Sequence, residues 1–167
     1  MLYLKKANLA DAEAEYRFMR DMPADENGLT NPWHGVARED FEAVTLREMM
    51  AWSKGEGLPA GFVSETYYFL WEDDEVVGQF RLRHYLTEAL RAGAGHIGYG
   101  IRRDKRGRGL GKAGLRLMLD IAREAVPEDE IYLRGNKNNP ASLHVMLACG
   151  GYVHHEDETR CYVRVKK

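Results

Sequence analysis

"IRRDKRGRGLGKAG", residues 101–114, places six basic side chains and four glycines within fourteen positions. Residues 102–112 carry Arg102, Arg103, Lys105, Arg106, Arg108 and Lys112 against Asp104, a local +5 in a chain whose net charge is −2. Charge concentrated in one short segment suits a single small anion; a nucleic-acid binder spreads it over a face. The glycines sharpen that reading. "GHIGYGI" (95–101) is a strand by its β-branched and aromatic content, and Leu110, Leu117, Met118, Ile121 and Ala125 fall at helical spacing until Pro127. The basic segment therefore links a strand end to a helix N-terminus, where unpaired N–H groups and the helix dipole favour an anion. Gly107, Gly109 and Gly111 clear the side chains that would keep a phosphate from those N–H groups.

Three phosphate-binding patterns compete. A Walker A loop fails, because position 106 is Arg and position 113 is Ala. Gly109, Gly111 and Gly114 spell G-x-G-x-x-G, but polar residues separate them from the strand, and "IYLRGN" offers no acidic residue after the next strand. The third pattern, Arg/Gln-x-x-Gly-x-Gly/Ala, is met by Arg106, Gly109 and Gly111.

Outward from this segment the chain alternates between strands and helices. "MLYLKKA" is a strand, and Asp11–Arg20 a helix. Residues 21–35 are a long Pro-, Gly- and Asn-containing loop, followed by a helix from about Arg38 to Ser53. "SETYYFLW" and "VVGQFRLR" form a hairpin around "EDDE". "IYLR" is a strand, Pro140–Cys149 a helix closed by Gly150, and two strands near 152–156 and 160–165 end the chain. The length and the absence of a linker imply one domain over 1–167. Cys149 and Cys161 give neither a disulfide framework nor metal-ligand spacing. With no signal-peptide pattern and no long apolar run, a cytoplasmic setting without membrane or nucleic-acid partners is expected.

This element order, with the glycine motif and Asn139-Pro140-Ala141-Ser142 at the start of the second helix, resembles the GNAT superfamily of acyl-CoA-dependent N-acetyltransferases. "GHIGYGIR" and "NPAS…GG" look most like a little-characterised bacterial group within it. The resemblance implies an α/β (α+β) fold: a mixed, mostly antiparallel twisted sheet of about six or seven strands flanked by about four helices. It implies acetyl-CoA as cosubstrate, held by Ile101, Arg103, Arg106, Gly107, Arg108, Gly109, Leu110, Gly111 and Lys112, with Asn139 and Ser142 along the cofactor. Arg102→Ala is expected to cost little if that side chain is merely solvated. The acceptor would be a small-molecule amine or a peptide or protein amine, on a monomer or homodimer. A non-catalytic acyl-CoA-binding or regulatory protein on the same fold is the alternative reading.

The catalytic residues are less determined. A backbone N–H near Tyr99–Ile101 would serve the oxyanion if a bulge splays this strand. The thiolate acid of the family is a Tyr that here is Met146, leaving Cys149 or water as substitutes. His96, Gly98 and Gly100 share one strand face by alternation, which makes His96 a candidate base beside a trough cleared of side chains. The resemblance instead places acceptor-side groups at 95, 97 and 99, which favours Tyr99. No metal is expected, since His154 and His155 point to opposite faces of a strand without a third ligand. Trp33, His34 and His84 are further candidates for the acceptor rim, and Asp21, Asp25 and Glu26 hint at a cationic acceptor.

Overall fold

The computed structural model describes residues 1–167. β4 (Glu65–Glu72) and β5 (Glu75–Arg83) form the expected hairpin. Both are almost wholly buried along their length, because helices cover each face. This explains why "TYYFLW" is a continuous apolar run instead of an alternating one. β1 (Leu2–Lys6) and β6 (Ile97–Ile101) flank them, giving an antiparallel sheet in the order β1-β4-β5-β6. On one face α1 (Ala12–Arg20) and a helical run, α2 (Arg38–Asp40), a π-helical stretch (Phe41–Leu46) and α3 (Arg47–Trp52), enclose Phe18, Phe41 and Phe69. On the other, α5 (Leu110–Ala125) sets Leu115, Met118 and Leu119 against Leu70 and Phe80.

Gly114 explains how closely α5 approaches. A Cβ there would stand 2.6 Å from Phe80 Cζ, so the third glycine of the literal G-x-G-x-x-G is a packing residue.

β7 (Glu130–Asn136), β8 (Tyr152–Glu156) and β9 (Arg160–Lys166) make a second antiparallel sheet in the order β7-β9-β8. The expected strands and flanking helices are present, but the ladder is split between β6 and β7 instead of continuous. The two sheets meet at their root, where His96 N–H donates to Tyr132 C=O at 2.7 Å. α6 (Pro140–Ala148) starts as the sequence implies, with Asn139 as N-cap and Pro140 in the first turn. Two elements went unanticipated. The 21–35 loop contains a small hairpin, β2 (Asp25–Glu26) and β3 (Leu29–Thr30), and α4 (Glu88–Ala92) is capped by Thr87.

Candidate active site

A cavity of about 580 Å³ opens where β6 and β7 part, running from the glycine loop to the hairpin β2–β3. At the loop end, Gly107 (φ +77°) and Gly109 (φ +79°) are left-handed, with open space where a Cβ would stand. Gly109 is the N-cap of α5, and Ala113 N–H is bonded to its carbonyl at 3.0 Å. The N–H groups of Leu110, Gly111 and Lys112 precede that first helical bond, and all three residues line the cavity.

The strand wall is set by hydrogen-bond alternation. Arg83 N–H donates to His96 C=O and Arg102 N–H to Val77 C=O, which turns the even-numbered residues of β6 toward β5. The N–H groups of Ile97, Tyr99 and Ile101 therefore point away from β5, toward the split. The β5–β6 register runs unbroken from 97 to 101, so no bulge is needed to free them. Alternation also sends the side chain of Tyr99 to the face of α6. There it stacks on Phe80, ring centroids 5.3 Å apart, and its hydroxyl lies 3.0 Å from Ser142 Oγ. Burial pushes the Tyr99 phenol up to about 12.

His96 does not fit the role of base. It is fully buried and does not line the cavity. Its Nδ1 accepts the Tyr132 N–H at 2.9 Å, and its Nε2 lies 2.9 Å from Glu128 Oε2. A neutral ring accepting at Nδ1 carries its proton on Nε2, so no lone pair is free. The trough above Gly98 and Gly100 is filled: a Cβ on either would meet Leu29 at 3.0 Å. Cys149 does not fit as the acid, since it lies outside the cavity with Sγ against Lys112 C=O. Met146 is buried at the cavity wall.

Ile101, Arg106, Asn139 and Ser142 line the cavity with the glycine loop, whereas Arg103 and Arg108 do not. Arg103 and Arg106 donate to Glu26 at 3.1 and 2.8 Å, and Arg108 grips Glu72 with two bonds of 2.9 Å. Although burial pushes the Glu26 carboxyl up, the hydrogen bonds from Arg106 and Arg103 hold it below its ordinary value. Arg102 is not merely solvated. It bridges Glu75, Asp104 and the Val76 carbonyl, tying the loop to the β4–β5 turn. Trp33 folds into the core against Trp52, and His84 is bonded to Thr66 outside the cavity. His154 and His155 do not diverge as strand alternation implies: the register shifts between Val153 and His155 and the two rings bond to each other at 2.9 Å, while no group of three metal-ligating side chains occurs.

The far end of the cavity holds residues not singled out beforehand: Arg81, Arg83 and Arg134. A signal was present. In "FRLR" the alternation that buries Phe80 and Leu82 under α5 sends both arginines to the opposite face.

The Acetyltransferase (GNAT) domain model matches residues 1–151, and the chain belongs to this acetyltransferase family. Solved structures agree on the fold. The ribosomal-protein-S5-alanine acetyltransferase from Vibrio fischeri superposes with a TM-score of 0.68 at 15% identity, over 99% of this chain and 92% of that one. Aminoglycoside acetyltransferase AAC(6')-Ib with coenzyme A gives 0.65 at 14% identity, over 100% and 95%. Campylobacter jejuni N-acetyltransferase PseH with acetyl coenzyme A gives 0.60 at 15%, over 100% and 99%. A search of curated protein sequences finds no match to the chain. No helix is long and apolar enough to cross a membrane.

Proposed function

We propose that the protein is an acetyl-CoA-dependent N-acetyltransferase acting on a primary amine. One observation carries this reading: a single cavity joins a helix N-terminus that has no side-chain cap to a strand edge with outward-facing N–H groups. The residues fit coenzyme A. Gly107 and Gly109 leave room beside the N–H groups of Leu110, Gly111 and Lys112 for a pyrophosphate, with Arg106 as its cation. Asn139 and Ser142 stand along the opposite wall. Bound there, acetyl-CoA supplies an acyl group activated as a thioester.

The chain's own contribution is positioning and proton control. The N–H groups of Ile97, Tyr99 and Ile101 offer fixed donors to an oxygen that gains negative charge, a stabilisation that needs no reorganisation during reaction. The phenol of Tyr99 holds its proton throughout the physiological range and can donate toward a leaving thiolate. It thus supplies from β6 the hydroxyl that Met146 cannot supply from α6. Of the cavity side chains that could accept a proton, Glu26 is engaged by Arg103 and Arg106 and His144 stands on the exposed side of α6, and water is the proton acceptor in this reading.

Thiol release from acetyl-CoA, measured across a panel of amines, tests the proposal. Release that rises with one amine and yields its N-acetyl product is expected. Tight acetyl-CoA binding with no acceptor-dependent release would favour the non-catalytic alternative.

A further inference from the structure

The acidic residues of the 21–35 loop hint at a cationic acceptor, but the structure spends them elsewhere. Asp21 pairs with Arg20, Asp25 accepts the Gly28 N–H in the hairpin turn, and Glu26 holds Arg103 and Arg106. Glu26 is the sole carboxylate at the cavity wall. At the other end, Arg81, Arg83 and Arg134 line the same space.

Arg81 is the telling member. It is only 7% exposed, and its Nε is buried without a hydrogen-bond partner. Its Nη2 has Thr30 Oγ1 at 3.5 Å, and the Tyr67 hydroxyl is a further polar neighbour of the side chain. Its guanidinium lies over Gly98, where a Cβ would come 3.1 Å from Nε. Glycine at 98 is thus what lets the guanidinium lie against the strand beside the cavity. Nearby, Glu65 has its Oε1 taken by the Tyr67 hydroxyl at 2.7 Å and its Oε2 3.5 Å from Arg83 Nε. Glu65 is thus the buried carboxylate beside Arg83, whose cationic neighbours are Arg81 and Arg134. A buried donor on a charged group is costly to leave unpaired, and the planar fork of arginine matches carboxylate and phosphate oxygens. Burial, then the charge of Arg81, pushes the Arg83 guanidinium below its ordinary value.

We infer that this end of the cavity binds an oxyanion of the acceptor, so that the acceptor is an amine that also carries a carboxylate or a phosphate. The inference rests on the acetyltransferase reading for the amine and on Arg81, Arg83 and Arg134 for the anion. It sets this chain apart from two fold neighbours, a spermidine N-acetyltransferase chimera and an aminoglycoside acetyltransferase bound to ribostamycin.

Matched acceptor pairs test it: leucine against leucinamide, glutamate against glutamine, and phosphoethanolamine against ethanolamine, with spermidine as the cationic control. In each productive pair, the member with the extra oxyanion is expected to have at least tenfold higher kcat/KM. Which pair responds separates α-carboxylate, side-chain carboxylate and phosphate. Arg81→Gln should raise KM for that acceptor at least tenfold and leave KM for acetyl-CoA unchanged, with Arg81→Lys recovering part of the loss. Arg134→Gln, at a half-buried wall position, gives the same readout should Arg81→Gln fold poorly. Equal or better turnover of amides and spermidine overturns the inference, as does an Arg81→Gln enzyme with unchanged preference. If acetyl-CoA binds but no amine releases thiol, the acetyltransferase reading fails. Calorimetric titration of inorganic phosphate into the CoA-saturated protein then decides the anion site. Saturable binding weakened tenfold by Arg81→Gln upholds it; binding that is absent, or equal in both proteins, overturns it.

Discussion

The imidazole of His96 and the carboxylate of Glu128 meet at 2.9 Å at the point where β6 and β7 separate. The other ring nitrogen accepts the Tyr132 N–H, so one side chain pins both strands at the root of the split. Glu128 also accepts from Leu86 N–H at 3.0 Å and from Arg91 at 3.2 Å. Burial pushes the His96 imidazole below 6.5, against the opposing pull of Glu128. Although burial pushes the Glu128 carboxyl up, the hydrogen bonds from His96 and Leu86 N–H hold it below 4.5.

The sign of the pH dependence follows. Below pH 6.5 the unfolded chain takes up a proton that folded His96 resists, so stability falls with acidification from that point. A second loss sets in as pH drops through the region of 4.5, where the unfolded Glu128 carboxyl protonates first. His96→Gln should cost about 2 kcal/mol, since two buried partners lose geometry, or roughly 4–8 °C of melting temperature. It should also flatten the fall in melting temperature between about pH 7 and 5.5. Turnover per folded molecule should stay within about threefold, below the range of a lost base. A loss of about a hundredfold in fully folded protein, with the acidic limb of the rate profile gone, would restore His96 as the base.

Tyr99→Phe isolates the hydroxyl that faces Ser142. It should lower kcat about a hundredfold with KM for acetyl-CoA little changed, because the ring still stacks on Phe80. The wild-type rate should show no basic fall from this group until pH nears 12. Wild-type kcat in the Phe variant would remove the phenol from the mechanism.

How far the sequence carries can be judged from particular residues. The glycine loop and α5 were legible because their signals are local: a strand end, left-handed glycines and helical spacing within about twenty positions. The face of Tyr99 was legible from alternation alone. His96 misled because its partner Glu128 lies 32 positions away, and no local pattern shows that its ring is spoken for. Arg81 and Arg83 were visible as an alternating pair, but their meaning depends on β6 having glycine opposite and on Arg134 arriving from the second sheet. α4 escaped because five residues hold too little periodicity to register.

Gly109→Val tests the anion site. At φ +79° a β-branched residue is strained, and its side chain would fill the space left open beside the α5 N-terminus. Wild type with acetyl-CoA at a hundred times Kd should gain about 2.7 kcal/mol, and the variant should lose most of that gain. Thermal melts with and without acetyl-CoA read the difference, and equal shifts would exclude this loop. Arg102→Ala is not a neutral control here, because it releases the loop from Glu75 and Val76.

Glu26→Gln should tighten acetyl-CoA binding by roughly fivefold, the equivalent of about 1 kcal/mol. Its carboxylate holds Arg106, which a pyrophosphate would also claim. Calorimetry of both proteins reads this directly. Weaker binding in the variant would mean that Glu26 orders the arginines instead of competing for them.

Met146→Leu conserves volume in a buried position and should keep kcat within about threefold. Cys149→Ala should do the same, since its thiol faces away from the cavity and burial pushes that thiol up. A hundredfold fall in kcat from Cys149→Ala, with acetyl-CoA binding intact, would return the acid role to the thiol.

The basic segment that opens the sequence is far less electropositive in the folded chain than its composition suggests. Arg102, Arg103, Lys105, Arg106 and Arg108 each meet a carboxylate of Glu26, Glu72, Glu75 or Asp104. At a Debye length of about 10 Å in 0.1 M salt, such pairs cancel before their field reaches far into solution. The loop therefore draws few condensed counterions from an approaching polyanion, and ionic strength has little long-range attraction to screen. What selects the ligand is contact at short range: N–H groups, left-handed glycines and the cavity they border.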